Sequence, residues 1–184
     1  ENGNFFPTAG AAVPDEICEF VHSVGINMLV GYGLTESTAT VSCFQNSGYE
    51  IGSVGTVMPD VEVKIGENNE ILLRGKTITK GYYKKAEATA EAIDKEGWFH
   101  TGDAGYLNGD CLYLTERIKD LFKTSNGKYI SPQALETKLA IDRYIDQIAI
   151  IADQRKFVSA LIVPMYGFVK DYAKEKGIEY KDCL

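Results

Sequence analysis

Three short segments of this 184-residue chain hold the side chains best suited to chemistry. Gly31-Tyr32-Gly33-Leu34-Thr35-Glu36-Ser37-Thr38 places two glycines beside a hydroxyl and a carboxylate. Such a segment lets backbone approach phosphate oxygens closely, while Thr35 donates a hydrogen bond and Glu36 holds a hard cation. Gly97-Trp98-Phe99-His100-Thr101-Gly102-Asp103 ends in a carboxylate on a glycine turn, an acceptor suited to the two adjacent hydroxyls of a ribose. Glu116-Arg117-Ile118-Lys119-Asp120 supplies a fixed cationic fork for sugar or phosphate. Singly, each has a plainer explanation: a tight turn, a helix cap, an Asp bonding its own backbone, a surface cation. Together they describe a nucleoside triphosphate site.

The elements that must position these residues are readable from apolar spacing and turn chemistry. Residues 5–8 read as the end of a strand, and 14–24 as a helix with Pro14 near its first position and Gly25 past its end. Ile17, Phe20, Val21 and Val24 fall on one face of that helix, which is expected to point inward. The apolar run 26–30 reads as a buried strand delivering its C-terminal end to Gly31, and ligands of open α/β sheets sit beyond such ends. Further on, alternation at Val61, Val63 and Ile65, then 66–69 and 70–73, predicts a hairpin, and residues 86–93 a short helix. Asn108-Gly109 marks a second hairpin over 106–114. Tyr82 and Tyr83 are expected to pack within this β-rich part. His100 is read as a structural residue orienting the Asp103 turn, and His22 is given no role.

After Arg117 the pattern changes. Residues 118–124 and 129–130 flank Ser125-Asn126-Gly127-Lys128 as a hairpin, and Ser131-Pro132 starts a helix to about 140. Strands are expected at 145–152 and 157–163, then a polar helix over 167–176 with Phe168, Val169 and Tyr172 inward. The fold class is therefore α/β plus a β-rich subdomain, followed by part of a small α+β domain, with domains at 1–116 and 117–184.

Composition narrows the function classes. Hydrophobic residues at 45% and charged residues at 24% are ordinary for a globular chain. A net charge of −7 argues against a nucleic-acid partner, which needs clustered cations, but not against a single nucleotide. Cys18, Cys43, Cys111 and Cys183 are too scattered for a C-x-x-C metal pair and read as reduced thiols of a cytoplasmic protein. No apolar run approaches the ~18 residues needed for a membrane span; peripheral membrane contact is left open.

With these residues in view, the chain resembles the acyl-adenylate-forming superfamily, which includes acyl-CoA ligases, luciferases and peptide-synthetase adenylation domains. Thr8-Ala9-Gly10-Ala11-Ala12, the 31–38 segment, Glu70-Ile71-Leu72-Leu73-Arg74-Gly75 with Thr79-Lys80-Gly81-Tyr82-Tyr83-Lys84, the 97–103 segment and 117–136 resemble its successive motifs, in order and with similar spacing. Residues 119–136 look most like long-chain fatty acid CoA ligases. The resemblance implies a two-step reaction: ATP and a fatty acid give an acyl-adenylate and pyrophosphate, and coenzyme A then displaces AMP as a thioester. By motif match, Tyr32 stacks on adenine against the Gly10-Ala11-Ala12 backbone, flanked by Gly31 and Gly33. Thr35 contacts the α-phosphate, Glu36 helps hold Mg²⁺, and Asp103 takes the ribose hydroxyls with Arg117 beside it. Gly127 lines the pantetheine path, and Lys119 is the hinge about which the small domain rotates between half-reactions.

Two departures temper this assignment. The family's phosphate loop with its lysine has no counterpart here and is expected upstream, and its catalytic lysine is expected downstream. The chain is thus expected to be an internal piece, inactive alone and inclined to self-associate as a homo-oligomer. Ala9-Gly10 stands where a glycine pair is usual. Two alternatives remain at this level: a non-catalytic nucleotide-binding or interaction module, and an adenylating enzyme for amino or aryl acids.

Overall fold

The computed structural model describes residues 6–44, 49–123, 129–152, 155 and 157–179. The chain divides into two compact units, Glu1–Lys119 and Asp120–Leu184.

The first unit begins with strand β1 (Phe6–Thr8), helix α1 (Asp15–Ser23) and strand β2 (Met28–Tyr32). Pro14 precedes the helix and Gly25, at φ 81°, follows it, so both punctuation residues act as expected. Strands β1 and β2 pair in parallel, Thr8 opposite Val30, so the 9–12 loop and the 31–38 segment leave the sheet at the same end. Short strands β3 (Ser42–Cys43) and β4 (Thr56–Val57) follow, then β5 (Val61–Ile65) and β6 (Glu70–Gly75) as a hairpin. Helix α2 (Ala86–Ala92) leads to the longest strand, β7 (Phe99–Asn108), and its partner β8 (Cys111–Arg117). In that hairpin Asn108 pairs with Cys111, so the two-residue turn is Gly109-Asp110, one position beyond the Asn-Gly signal.

All eight strands form one mixed sheet in the order β1-β2-β3-β4-β8-β7-β6-β5, antiparallel except for β1–β2. The α/β end and the β-rich part, which differ in sequence character, therefore share a continuous sheet. Its core gathers Val41, Ile71, Leu73 and Leu112, all fully buried.

The apolar face of α1 is a correction to the sequence expectation. Ile17, Phe20 and Val24 are 46%, 66% and 56% exposed, and the residue of this helix that enters the core is Cys18. His22, on the same helix, bonds the Met28 carbonyl at 2.9 Å and stacks on Tyr49.

In the second unit β9 (Phe122–Lys123) pairs with β10 (Tyr129–Ile130), helix α3 (Pro132–Leu139) follows, β11 (Ile145–Ile151) pairs with β12 (Ser159–Pro164), and α4 (Tyr166–Lys176) closes the order. The Ser131 hydroxyl accepts the Ala134 N–H as an N-cap, with Pro132 in the first turn. Glu136 accepts the Ile150 N–H at 2.7 Å, fixing α3 on β11. Phe168 and Tyr172 are more than two-fifths exposed, contrary to their expected inward face; Ala173 is the buried residue of α4. Ile118–Asp120 forms a short 3-10 turn rather than the start of a strand. Among the described residues no helix is long and apolar enough to cross a membrane.

Candidate functional site

The site is built around a bulge in β7. Between the pairs Leu72↔His100 and Glu70↔Ala104, strand β6 advances two residues while β7 advances four, so Thr101, Gly102 and Asp103 together face Ile71. Gly102 adopts φ 75°, which a side chain would resist, and this is where a glycine is required. Bulges re-aim side chains, and this one brings the Asp103 carboxylate out beside β8. Across the β7–β8 ladder Asp103 lies directly opposite Arg117.

The Asp103 carboxylate is held from both sides by side chains. Its Oδ2 accepts the Tyr32 hydroxyl at 2.7 Å, joining residues 71 apart in sequence. Its Oδ1 accepts Arg117 Nε at 3.2 Å. The carboxylate keeps 17% of its surface exposed, and Arg117 is more than half exposed. Tyr32 is buried, and burial first, then the Asp103 carboxylate, pushes its phenol well above the ordinary tyrosine value. Its hydroxyl therefore stays a donor at any physiological pH.

The 31–38 segment folds into a compact loop. Leaving β2, the chain makes a 3-10 turn over Thr35–Ser37, in which Ser37 Oγ accepts the Leu34 N–H and donates to the Leu34 carbonyl. The chain then doubles back so closely that a Cβ on Gly33 would lie 1.6 Å from the Ala39 carbonyl oxygen. Thr38 and Ala39 both take positive φ, 55° and 80°. A β-branched residue there is strained, and such backbone persists only where the surroundings hold it. Here the surroundings are residues 77–82: Thr38 Oγ1 donates to the Thr77 carbonyl at 2.7 Å, and the Thr79 N–H donates to the Glu36 carbonyl at 2.7 Å. The Glu36 carboxylate accepts the Tyr82 hydroxyl at 2.9 Å. Desolvation, then Glu36, raises the Tyr82 phenol above its ordinary value.

The sequence-derived residues fall out as follows. Tyr32, Asp103 and Arg117 form one hydrogen-bonded cluster. Thr35 is exposed and Glu36 half-buried on the adjoining loop. Gly10, Ala11 and Ala12 are exposed on the loop that leaves β1 at the same end of the sheet. Lys119 lies in the 3-10 turn where the first unit ends. Gly127 lies outside the described residues. Tyr82 and Tyr83 do not pack inside the β-rich part: Tyr83 is 86% exposed, and Tyr82 spends its hydroxyl on Glu36. Glu70, which the sequence places in a family-like segment without a role, accepts the Gly102 N–H on its carboxylate at 2.9 Å and contacts His100 Nδ1 at 2.8 Å.

Among the described residues no three His, Cys, Asp or Glu side chains cluster as a metal site. Glu36 alone still fits Mg²⁺, which is commonly held by one or two carboxylates together with substrate phosphates. Chemically the arrangement offers an anchored anionic acceptor, a cation beside it, and a strained turn bearing a hydroxyl and a carboxylate.

Residues 4–83 match the AMP-binding enzyme family. Long-chain-fatty-acid–CoA ligase 1 of Saccharomyces cerevisiae is 35% identical over 188 residues, covering 94% of this chain and 27% of that protein. The structure of o-succinylbenzoate CoA synthetase from Bacillus subtilis in complex with its acyl-adenylate intermediate is similar at a TM-score of 0.75 and 26% identity, over 95% of this chain and 40% of that one. The same synthetase in complex with ATP and magnesium ion gives 0.74 and 26%, again over 95% and 40%. This chain spans about a quarter of the length of the curated relatives it matches.

Proposed function

This chain belongs to the AMP-binding enzyme family, and from that premise we propose that it is the nucleotide-holding portion of an ATP-dependent fatty acid CoA ligase. The observation that carries the proposal is the Asp103 carboxylate, re-aimed by a bulge and fixed by Tyr32 and Arg117.

In the first half-reaction the fatty acid carboxylate attacks the α-phosphorus of ATP, the bond to pyrophosphate breaks, and an acyl-adenylate forms. In the second the coenzyme A thiolate attacks the acyl carbonyl, and AMP leaves with the electron pair of the broken C–O bond. The first step brings two anions together, so positioning and charge neutralisation dominate its barrier. Asp103 accepts hydrogen bonds from the ribose hydroxyls, and Arg117, opposite it on β8, holds that carboxylate in orientation. The Tyr32 ring and the Gly10-Ala11-Ala12 backbone border the adenine. Thr35, presented by the strained turn, donates to the α-phosphate. Magnesium, when bound, neutralises phosphate charge, and Glu36, oriented by Tyr82, is the residue that would hold it. Gly127 borders the pantetheine, and Lys119 is the hinge, a role supported by the division of the chain at that residue.

The name of the yeast relative favours a long-chain fatty acid as the substrate. ATP–pyrophosphate exchange by the full-length protein, with a long-chain fatty acid and with o-succinylbenzoate in parallel, tests this. Exchange with the fatty acid, followed by thioester formation with free coenzyme A, is the expected result. Exchange with the aromatic acid alone would refute the substrate assignment.

A further inference from the structure

Strand pairing fails at the β7 bulge, and side chains take over the lost ladder bonds. The Thr101 hydroxyl accepts the Asp103 N–H at 3.0 Å and donates to the Ile71 carbonyl at 2.7 Å. The buried Gly102 N–H goes to Glu70 Oε1 at 2.9 Å. Glu70 Oε2 lies 2.8 Å from His100 Nδ1, on the strand that carries the bulge. The other ring nitrogen, Nε2, lies 3.9 Å from Asp94 Oδ2, and Asp94 Oδ1 accepts the N–H groups of Glu96 and Trp98 at 2.9 Å each. The amide preceding Asp103 is therefore gripped by a carboxylate that is itself gripped by a histidine, and that histidine stands against a second, backbone-anchored carboxylate.

We infer that Glu70, oriented by His100, is a positioning residue for Asp103: by accepting the Gly102 N–H it fixes the Thr101–Gly102 peptide, the link just before the residue whose carboxylate reaches a ribose. This rests on Asp103 being the ribose acceptor. The physical reason is that a buried N–H deprived of its acceptor seeks another, and the left-handed Gly102 is the residue freest to rotate in doing so. A displacement of the acceptor by a fraction of an ångström is enough to spoil a pair of hydrogen bonds to adjacent hydroxyls.

The test compares ATP with 2′-deoxy-ATP binding to the full-length protein by calorimetry. The wild type should prefer ATP, since the deoxy nucleotide offers Asp103 one donor fewer. Asp103→Ala should abolish that preference; if it does not, the ribose assignment itself is wrong, whatever Glu70 does. Glu70→Ala should weaken ATP binding about tenfold while weakening 2′-deoxy-ATP much less, so that the preference shrinks toward that of Asp103→Ala. Glu70→Gln, which retains an oxygen for the Gly102 N–H, should restore most of it. A merely structural loss would weaken both nucleotides equally and leave their ratio unchanged. His100→Ala should give an intermediate ratio, and it carries the test if Glu70→Ala does not fold. A wild-type ratio in folded Glu70→Ala, or in His100→Ala where the former is unfolded, overturns the inference once Asp103→Ala has lost the preference.

Discussion

Replacing Asp103 by alanine should produce two separable losses whose sizes follow from its partners. The Tyr32 hydroxyl, 2.7 Å away and buried, would be left without its acceptor. An orphaned buried donor costs about 1–3 kcal/mol of stability. The Arg117 arm, with its side chain 55% exposed, contributes little to that sum. On the ligand side the variant forfeits two charge-assisted hydrogen bonds of about 1.5–3 kcal/mol each, so ATP affinity should fall at least tenfold, and about 10²–10⁴-fold if both are fully expressed. Asp103→Asn separates the two losses, because an amide oxygen still accepts from Tyr32 while the charge is gone. It should keep nearly the wild-type unfolding midpoint in urea and still bind ATP more weakly. Calorimetric titration of the full-length variants, beside urea unfolding without nucleotide, gives both quantities. An unchanged dissociation constant for ATP in a folded Asp103→Ala would refute the ribose role and the proposed function with it.

The Tyr32 phenol is held above its ordinary value in the folded chain, so its contribution is complete below the unfolded value of ~10 and is lost as pH rises from there through the folded value. Tyr32→Phe should therefore flatten the alkaline fall in unfolding midpoint; parallel pH profiles for variant and wild type would count against this. Gly33→Ala should collapse the 31–38 loop, because its Cβ would meet backbone that has no rotamer to escape by, and a loss of more than about 3 kcal/mol in urea unfolding is expected. Lys119→Pro fixes φ near −65° at the proposed hinge and should leave pyrophosphate exchange intact while abolishing thioester formation. Equal loss of both half-reactions would argue against a hinge there.

What the sequence disclosed, and what it withheld, divides along local and non-local lines. The Ser131-Pro132 helix start, the hairpin read over 61–73 and the Gly25 stop are set by residues within a few positions of one another, and each forms, the hairpin extending to Gly75. The chemistry of Asp103 and Arg117 was visible as residue types, but their registration opposite each other depends on how β7 and β8 pair. The Tyr32–Asp103 bond spans 71 positions and leaves no periodic trace. Nor does the bulge, since an alternation count cannot tell two surplus residues from an ordinary strand. The stripe of Ile17, Phe20 and Val24 shows the opposite failure. Helical periodicity reports that an apolar face exists, not what lies against it, and these three residues are exposed. Tyr82 differs from its expected packing for a similar reason, because average burial says nothing of a hydroxyl with a carboxylate in reach.

The paired left-handed residues Thr38 and Ala39 have an implication for how this turn could change over time. Each holds backbone strain of about 1–3 kcal/mol, which the contacts to residues 77–82 offset when the chain folds, before any ligand arrives. A glycine at position 38 would relieve part of that strain at the cost of the Thr38 hydroxyl's bond to the Thr77 carbonyl. It would also free the loop to sample other shapes, moving the ordering cost from folding to nucleotide capture. Threonine at that position thus ties a strained backbone to residues 77–82 through its own hydroxyl, so the shape of the turn is set during folding rather than at nucleotide capture.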